Sequence, residues 1–186
     1  MVRIARYAAN NAEAHNTAYQ ALEDLYLANG NAVEVLASET LTSDAAEINV
    51  AITGSWQWVR LITNLNKVSG SATSPEIRAN SDSRTIYDWC YLYAYPGGML
   101  GTSAGAQNGI PVNINAFVDP PSFMDLWFIL SSTGFGLIGT SNFYSGGGFY
   151  TVRYGGFYNG DAVTSLQIAS ADVASGSTYM LQGVRA

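Results

Sequence analysis

Two short glycine-containing segments of the sequence match the consensus motifs of known catalytic or cofactor-binding sites. The segment Gly101–Gly105 (GTSAG) matches the G-x-S-x-G elbow, in which a strained turn presents a serine nucleophile to a histidine base. The only histidine, His15, precedes this serine, whereas hydrolases with the elbow place their histidine after it. We therefore predict that residues 101–105 form a surface loop and not a hydrolase site.

The segment Gly134–Gly139 (GFGLIG) matches the dinucleotide-binding fingerprint, in which glycines bring a helix N-terminus against a pyrophosphate. The residues that follow, TSNFYSGGG, cannot begin a helix, and no strand-helix-strand unit surrounds the motif. We predict that these glycines serve bulges or close backbone approach in a crowded sheet, and we expect no bound cofactor.

Other catalytic or metal-binding groups are scarce. Glycoside hydrolysis needs two carboxylates that face each other across a cleft, and the sequence alone brings no two candidates together. A single cysteine, Cys90, and a single histidine exclude a cysteine-based zinc cage, and we interpret Cys90 as an inert core thiol. We expect no catalytic residue and no metal site. The candidate carboxylates are Asp82, Asp88, Asp119, Asp125 and Asp161.

The composition indicates one folded domain with a short appendage. The 186 residues are 48% hydrophobic, 12% aromatic and only 12% charged, which argues against disorder. The net charge of −6 disfavours binding to nucleic acid. No apolar run is long enough to span a membrane, and the first residues lack the apolar core of a signal peptide. We expect a soluble protein that is made in the cytoplasm and is not processed.

The first thirty residues are rich in alanine, and from residue 8 to residue 28 they contain neither glycine nor proline, which predicts an α-helix. Because a short helix is marginally stable alone, its small-residue stripe must pack on something. The β domain, identical helices around an axis and a partner protein all remain candidates. The stripe consists of Ala14, Ala18, Ala21, Leu25 and Ala28.

Arg3 and Arg6 are the only basic residues before Arg60, so they place positive charge at the start of an acidic chain. Such an arm is suited to an acidic patch on a partner. We predict that residues 1–30 form a docking and oligomerisation arm, separate from a domain that spans residues 31–186.

From residue 31 onward the hydrophobic period changes to two, and glycine, serine and asparagine separate short runs of β-branched and aromatic residues. This density of strands is typical of a β-sandwich. We predict an all-β fold: a jelly-roll-like antiparallel β-sandwich with a short N-terminal α-helix. The candidate strands are 33–41, 46–52, 57–65, 76–80, 85–95, 112–118, 123–131, 136–143, 148–158, 162–169 and 179–184.

One candidate strand carries a continuous aromatic stripe on one face, because side chains alternate between the faces of a strand. This stripe fits the inner face of the sandwich, since aromatic side chains dominate core burial. A subunit interface and a sugar-stacking platform are the alternatives. The stripe consists of Tyr87, Trp89, Tyr91, Tyr93 and Tyr95.

The candidate strand 148–158 has aromatic side chains on both faces. Phe149 and Phe157 share one face, and Tyr150, Tyr154 and Tyr158 share the other. Both faces must therefore be covered, which suggests burial between subunits.

The two ends of the β region resemble small virion proteins of tailed bacteriophages that have a jelly-roll-like β-sandwich. At the carboxyl end the resemblance rests on Thr164–Ile168, the turn Ser175–Ser177 and the ending Leu181–Val184 (LQGV). At the other end it rests on LASETLT from Leu36, EINV from Glu47 and WVRLI from Trp58. The likeness covers residues 33 to 185.

This resemblance implies a structural protein of the virion, made in the host cytoplasm, without cofactor or catalysis. The virion proteins that the chain resembles serve as capsid decoration, head fibre or tail fibre proteins, and they are commonly homotrimers. The partners implied are other copies of the chain and a phage capsid or tail protein, with no nucleic acid and no membrane. The alternative is a receptor- or glycan-binding module of a tail fibre, in which tyrosines and tryptophans stack on host surface sugars.

Overall fold

The computed structural model describes residues 33–66, 68, 75–95, 98–112, 122–145, 148–169 and 172–184. The predicted N-terminal helix and docking arm lie outside the described residues. So does residue range 113–121, which includes most of the predicted strand 112–118.

The described residues are all-β and antiparallel, which confirms the predicted fold class. They form two sheets, as a β-sandwich requires. The twelve strands are β1 (Val33–Thr40), β2 (Ile48–Ala51), β3 (Trp58–Leu65), β4 (Glu76–Ala79), β5 (Tyr87–Tyr95), β6 (Gly98–Gln107), β7 (Ile110–Pro111), β8 (Ser122–Ser131), β9 (Gly134–Ser145), β10 (Gly148–Asn159), β11 (Ser165–Ala169) and β12 (Thr178–Val184).

The strand order is that of a jelly roll with one widened sheet. The larger sheet runs β1-β12-β3-β8-β9-β10-β5-β6, and the smaller runs β2-β11-β4-β7. If the hairpins β5–β6 and β9–β10 are set aside, four strands remain in each sheet, and their order is that of the two jelly-roll sheets. The two hairpins are therefore insertions, and together they double the width of one sheet.

The core lies between the two sheets and follows the period of two. In β3, Val59 and Leu61 are fully buried, whereas Arg60 between them and Ile62 after them are only half-buried. Burial of one such apolar side chain stabilises the fold by about 1.5–3 kcal/mol. The inner face of the larger sheet thus packs on the smaller sheet, whose own core side chains include Ile77, Leu166 and Ile168.

Residues 101–105 lie inside strand β6 and do not form the surface loop predicted from the sequence. β6 is the edge strand of the larger sheet and is paired on one side only, with β5. Nearly all of its residues are exposed, so its sequence shows no alternation of apolar and polar positions. The small and polar residues of β6 are therefore also typical of a loop.

The glycines of residues 134–139 lie in strand β9, which confirms that they permit close backbone approach. A Cβ at Gly139 would lie 2.6 Å from the Asp125 carbonyl oxygen on the neighbouring strand. Gly134 has a φ of +131°, and a Cβ there would overlap the Tyr158 carbonyl oxygen. Both positions therefore exclude larger residues for steric reasons.

Gly134 and Gly98 provide a matched pair for testing this constraint. Both begin the second strand of a hairpin with a positive φ, but a Cβ at Gly98 would meet nothing within 4 Å. We expect Gly98→Ala to lower the free energy of unfolding by about 1–3 kcal/mol through backbone strain alone. Gly134→Ala should lower it by a further ~1–3 kcal/mol because of the overlap. Urea unfolding followed by tryptophan fluorescence measures both, and equal losses would contradict this explanation.

Candidate functional site

Tyr87, the first residue of the aromatic stripe, is a core side chain. It has no exposed surface, and its hydroxyl accepts a hydrogen bond from the Ala79 amide (3.0 Å) and donates one to the Asp82 carbonyl (2.9 Å). Burial raises the pKa of this hydroxyl above its ordinary value. The expectation that Tyr87 contributes to an interface or glycan surface is therefore corrected, because its ring is enclosed within the protomer.

Trp89 and Tyr91 follow on the same face of β5 and are half-buried. Their rings are parallel within 3°, with centroids 5.0 Å apart, so each ring covers one face of the other. Tyr93 and Tyr95 continue the strand, but their side chains lie outside the described part of the structure.

The two tyrosines singled out on β10 also point toward the smaller sheet. Tyr154 is buried, its hydroxyl lies 2.7 Å from the Ser141 hydroxyl, and it donates a hydrogen bond to the Val112 carbonyl. Desolvation raises its pKa, and its expected role as an interface or glycan aromatic is corrected because it belongs to the core. Tyr150 is half-buried and stacks on Phe143 with ring centroids 5.2 Å apart.

The residues predicted to dock or to form the oligomer contact lie outside the described residues, and their roles stay predictions. They are Arg3, Arg6, Ala14, Ala18, Ala21 and Leu25.

Two of the candidate carboxylates are held by one arginine near the end of β10. The Arg84 guanidinium donates to Asp82 (2.5 Å) and to Asp161 (3.0 Å), and the Tyr158 hydroxyl donates to Asp82 (3.1 Å). The hydrogen bond from Arg84 lowers the pKa of Asp82 to about 2. This direction is the opposite of the raised pKa that a catalytic general acid requires.

The remaining described candidates also have structural partners. Asp125 receives two hydrogen bonds from the Arg60 guanidinium (2.8 and 2.6 Å), which lies 4.9 Å from the Trp127 ring centroid. Asp88 accepts a hydrogen bond from the Ala106 amide (2.9 Å), and Asp119 lies outside the described residues. Within the described ranges, no group of three or more histidine, cysteine or acidic residues is arranged to hold a metal ion.

The face of the larger sheet that is turned away from the smaller sheet carries exposed apolar side chains; we call it the outer face. On β8, β9 and β10 these side chains alternate with buried core residues, as Ile138 does with Leu137. They are interspersed with polar side chains such as Asp125 and Arg153, and large exposed apolar side chains that share one surface are typical of interaction sites. The exposed fractions are 64% for Phe157 and Met99, 54% for Ile138, 42% for Leu92 and Phe123, and 40% for Ile129.

The centre of the outer face contains an open groove of about 600 Å³. Gly155 on β10 forms its floor, between Ile138 on β9 and Cys90 on β5. Phe157 and Asp88 lie at one side of this groove. Cys90 is exposed here, so the sequence-based interpretation of an inert core thiol is wrong.

Two features of the sequence indicate this outer face. The aromatic residues of strand β10 predict that both of its faces need cover, and the exposed Phe157 lies on the face that the described residues leave uncovered. Strand β8 is apolar at seven of its ten positions (SFMDLWFILS), and such runs are typical of strands buried on both sides. That run could have identified Phe123 and Ile129.

We expect Asp82 to stabilise the fold in a pH-dependent way. Because its pKa is lower in the folded protein, its contribution is present above about pH 4 and is lost as the pH falls toward 2. Asp82→Asn should lower the melting temperature at pH 7 by about 2–4 °C and flatten its fall between pH 4 and 2.

Asp161→Asn is the matched control, since Asp161 shares Arg84 but its side chain is 79% exposed and solvent screens the pair. Asp161→Asn should lower the melting temperature less than Asp82→Asn does. Melting curves of Asp82→Asn that followed the wild-type pH dependence would contradict this role.

No helix among the described residues is long and apolar enough to cross a membrane. No protein-family model, curated protein or solved structure matches this chain. The function of the chain is therefore inferred from its fold, its surfaces and the motifs at the two ends of its β region.

Proposed function

We propose that this chain is a non-enzymatic structural protein of a bacteriophage virion. It forms an oligomer, and the resemblance favours a trimer. The oligomer decorates a capsid or belongs to a fibre, and residues 1–30 attach it to the capsid or tail. The observation that carries this proposal is the exposed apolar outer face of the larger sheet. Such a surface favours a protein that works in an assembly.

The motifs that carry the resemblance lie in framework strands of the jelly roll. Gly176 has a φ of +82°, which a turn residue with a side chain rarely adopts. In the same turn, the Ser177 hydroxyl accepts a hydrogen bond from the Asn66 amide (2.8 Å) and donates one to the Ala174 carbonyl (2.7 Å). These residues position β12 between β1 and β3, so the shared motifs specify the sandwich itself.

The charged groups of the described residues support a structural role. Asp125 and Asp82 are each bound by an arginine, and both ion pairs join side chains within the larger sheet or beside it. Glycan binding has weaker support, because Trp89 and Tyr91 stack on each other and each ring covers a face that a sugar would need.

The attachment role of residues 1–30 follows from their composition and from their connection. They lead into β1, an edge strand of the larger sheet, so the arm joins the sandwich at its periphery. The positive charges of Arg3 and Arg6 favour an acidic patch on the particle.

Deletion of residues 1–30 should leave a folded β domain that no longer joins the particle. Circular dichroism measures the fold, and the protein content of particles purified from virus-producing cells measures incorporation. The full-length double variant Arg3→Glu/Arg6→Glu, which keeps the helix sequence, should reduce incorporation several-fold if the positive charges contribute. A truncated protein that is incorporated at normal occupancy would refute the docking role.

A further inference from the structure

Phe157 forms a ridge between two grooves of the outer face. Its side chain is 64% exposed, and its ring lies beside Gly136 on the neighbouring strand, where a Cβ would come within 3.7 Å. The groove above Gly155 lies on one side, and a second groove of about 550 Å³ lies on the Gly136 side. A projecting ring beside an apolar groove is self-complementary, because two such rings related by a two-fold axis through the groove above Gly155 can flank that groove from both sides.

The charges of the outer face are also self-complementary. Arg153 is exposed on this face, four residues before Phe157, and makes no ion pair with any described residue. Asp88 lies beside Phe157, on β5. Two sheets that face each other can be related by a two-fold axis that lies between them and runs perpendicular to the strands, along the row of Gly155 and Cys90. This axis places Arg153 of each copy opposite Phe157 and Asp88 of the other copy.

The size of the outer face matches one side of a stable interface. Five neighbouring strands, β8, β9, β10, β5 and β6, contribute to it. At about 4.8 Å between strands and about 3.4 Å per residue, eight residues of each strand cover about 650 Å² before side-chain relief is counted. A standard interface buries about 800 Å² on each partner.

We propose that the outer face packs against the outer face of a second copy of this chain, with Phe157 and its grooves at the centre. This inference rests on the oligomeric part of the proposed function and names the surface that makes the contact. Because the contact is two-fold, it joins protomers in pairs. A trimer held together by other contacts would associate through it into an assembly of six subunits.

The first test uses the purified full-length protein and its subunit number from sedimentation velocity and native mass spectrometry. Wild type should contain an even number of subunits, and Phe157→Glu should halve that number or weaken pairing at least ten-fold. Leu100→Glu is the matched control, because Leu100 is 50% exposed and lies on the opposite face of the same sheet. It should leave the subunit number unchanged. Melting temperatures show that each variant is folded.

The second test addresses the charges. Arg153→Asp and Asp88→Arg should each pair weakly alone, because each brings like charges together across the two-fold axis. A mixture of the two variants should recover pairing, because every charge then faces its opposite. Since Asp88 also accepts the Ala106 hydrogen bond, the melting temperature of its variant is measured first.

Cys90 provides an internal probe, since it is the only cysteine and lies in the central groove. A bulky maleimide should label it slowly in the paired wild type and rapidly in Phe157→Glu. A wild type with an odd number of subunits, or with a subunit number that Phe157→Glu leaves unchanged, would overturn the inference. A monomer would also overturn it, and protection of Cys90 in that monomer would indicate that the same chain covers the face.

The pairing tests and the incorporation test can fail independently of each other. Pairing in the purified protein without incorporation into particles would refute the virion role alone. Incorporation of a protein that never pairs through the outer face would refute only the present inference.

Discussion

The structure is governed by a mismatch in width between its two sheets. Eight strands form the larger sheet, whereas four form the smaller one. The smaller sheet can bury part of one face of the larger sheet and none of the other. Because a sheet is stabilised by the apolar surface it removes from water, the remaining face must be polar or covered by something else. In this protein the outer face combines charged side chains, such as Arg60, Asp125 and Arg153, with apolar side chains that the described residues leave exposed. We propose that a second copy of the chain covers it.

The two insertion hairpins produce this mismatch. Without β5–β6 and β9–β10, the chain would be a jelly roll of four strands on four. The hairpins keep the inner face filled, since Tyr87 and Tyr154 contribute buried rings whose hydroxyls bond to the segments around β4 and β7. On the other face the same strands present Phe157, Ile138 and Leu92 to solvent. The insertions thus extend the core and create a new surface at the same time.

The periodicity of the sequence predicted most of the fold, and its failures have physical causes. Strands β5 and β10 are predictable because their aromatic residues alternate in side-chain direction. Strand β6 is not, because an edge strand with little buried surface has no apolar period, and the sequence wrongly predicts a buried Cys90 because its strand is apolar on both faces. Burial of Tyr87 and Tyr154 depends on which face the smaller sheet covers, and strand alternation alone does not specify that face.

The most direct test of the central claim is hydroxyl-radical footprinting of Phe157 in the full-length protein, at concentrations where it is assembled and after dilution. Leu100 serves as the internal reference, because it is similarly exposed on the opposite face of the same sheet. The proposed pairing predicts that Phe157 is protected from oxidation in the assembled protein and becomes reactive on dilution, whereas Leu100 does not change. Equal oxidation of Phe157 in both states would contradict the claim that the outer face is covered in the assembly.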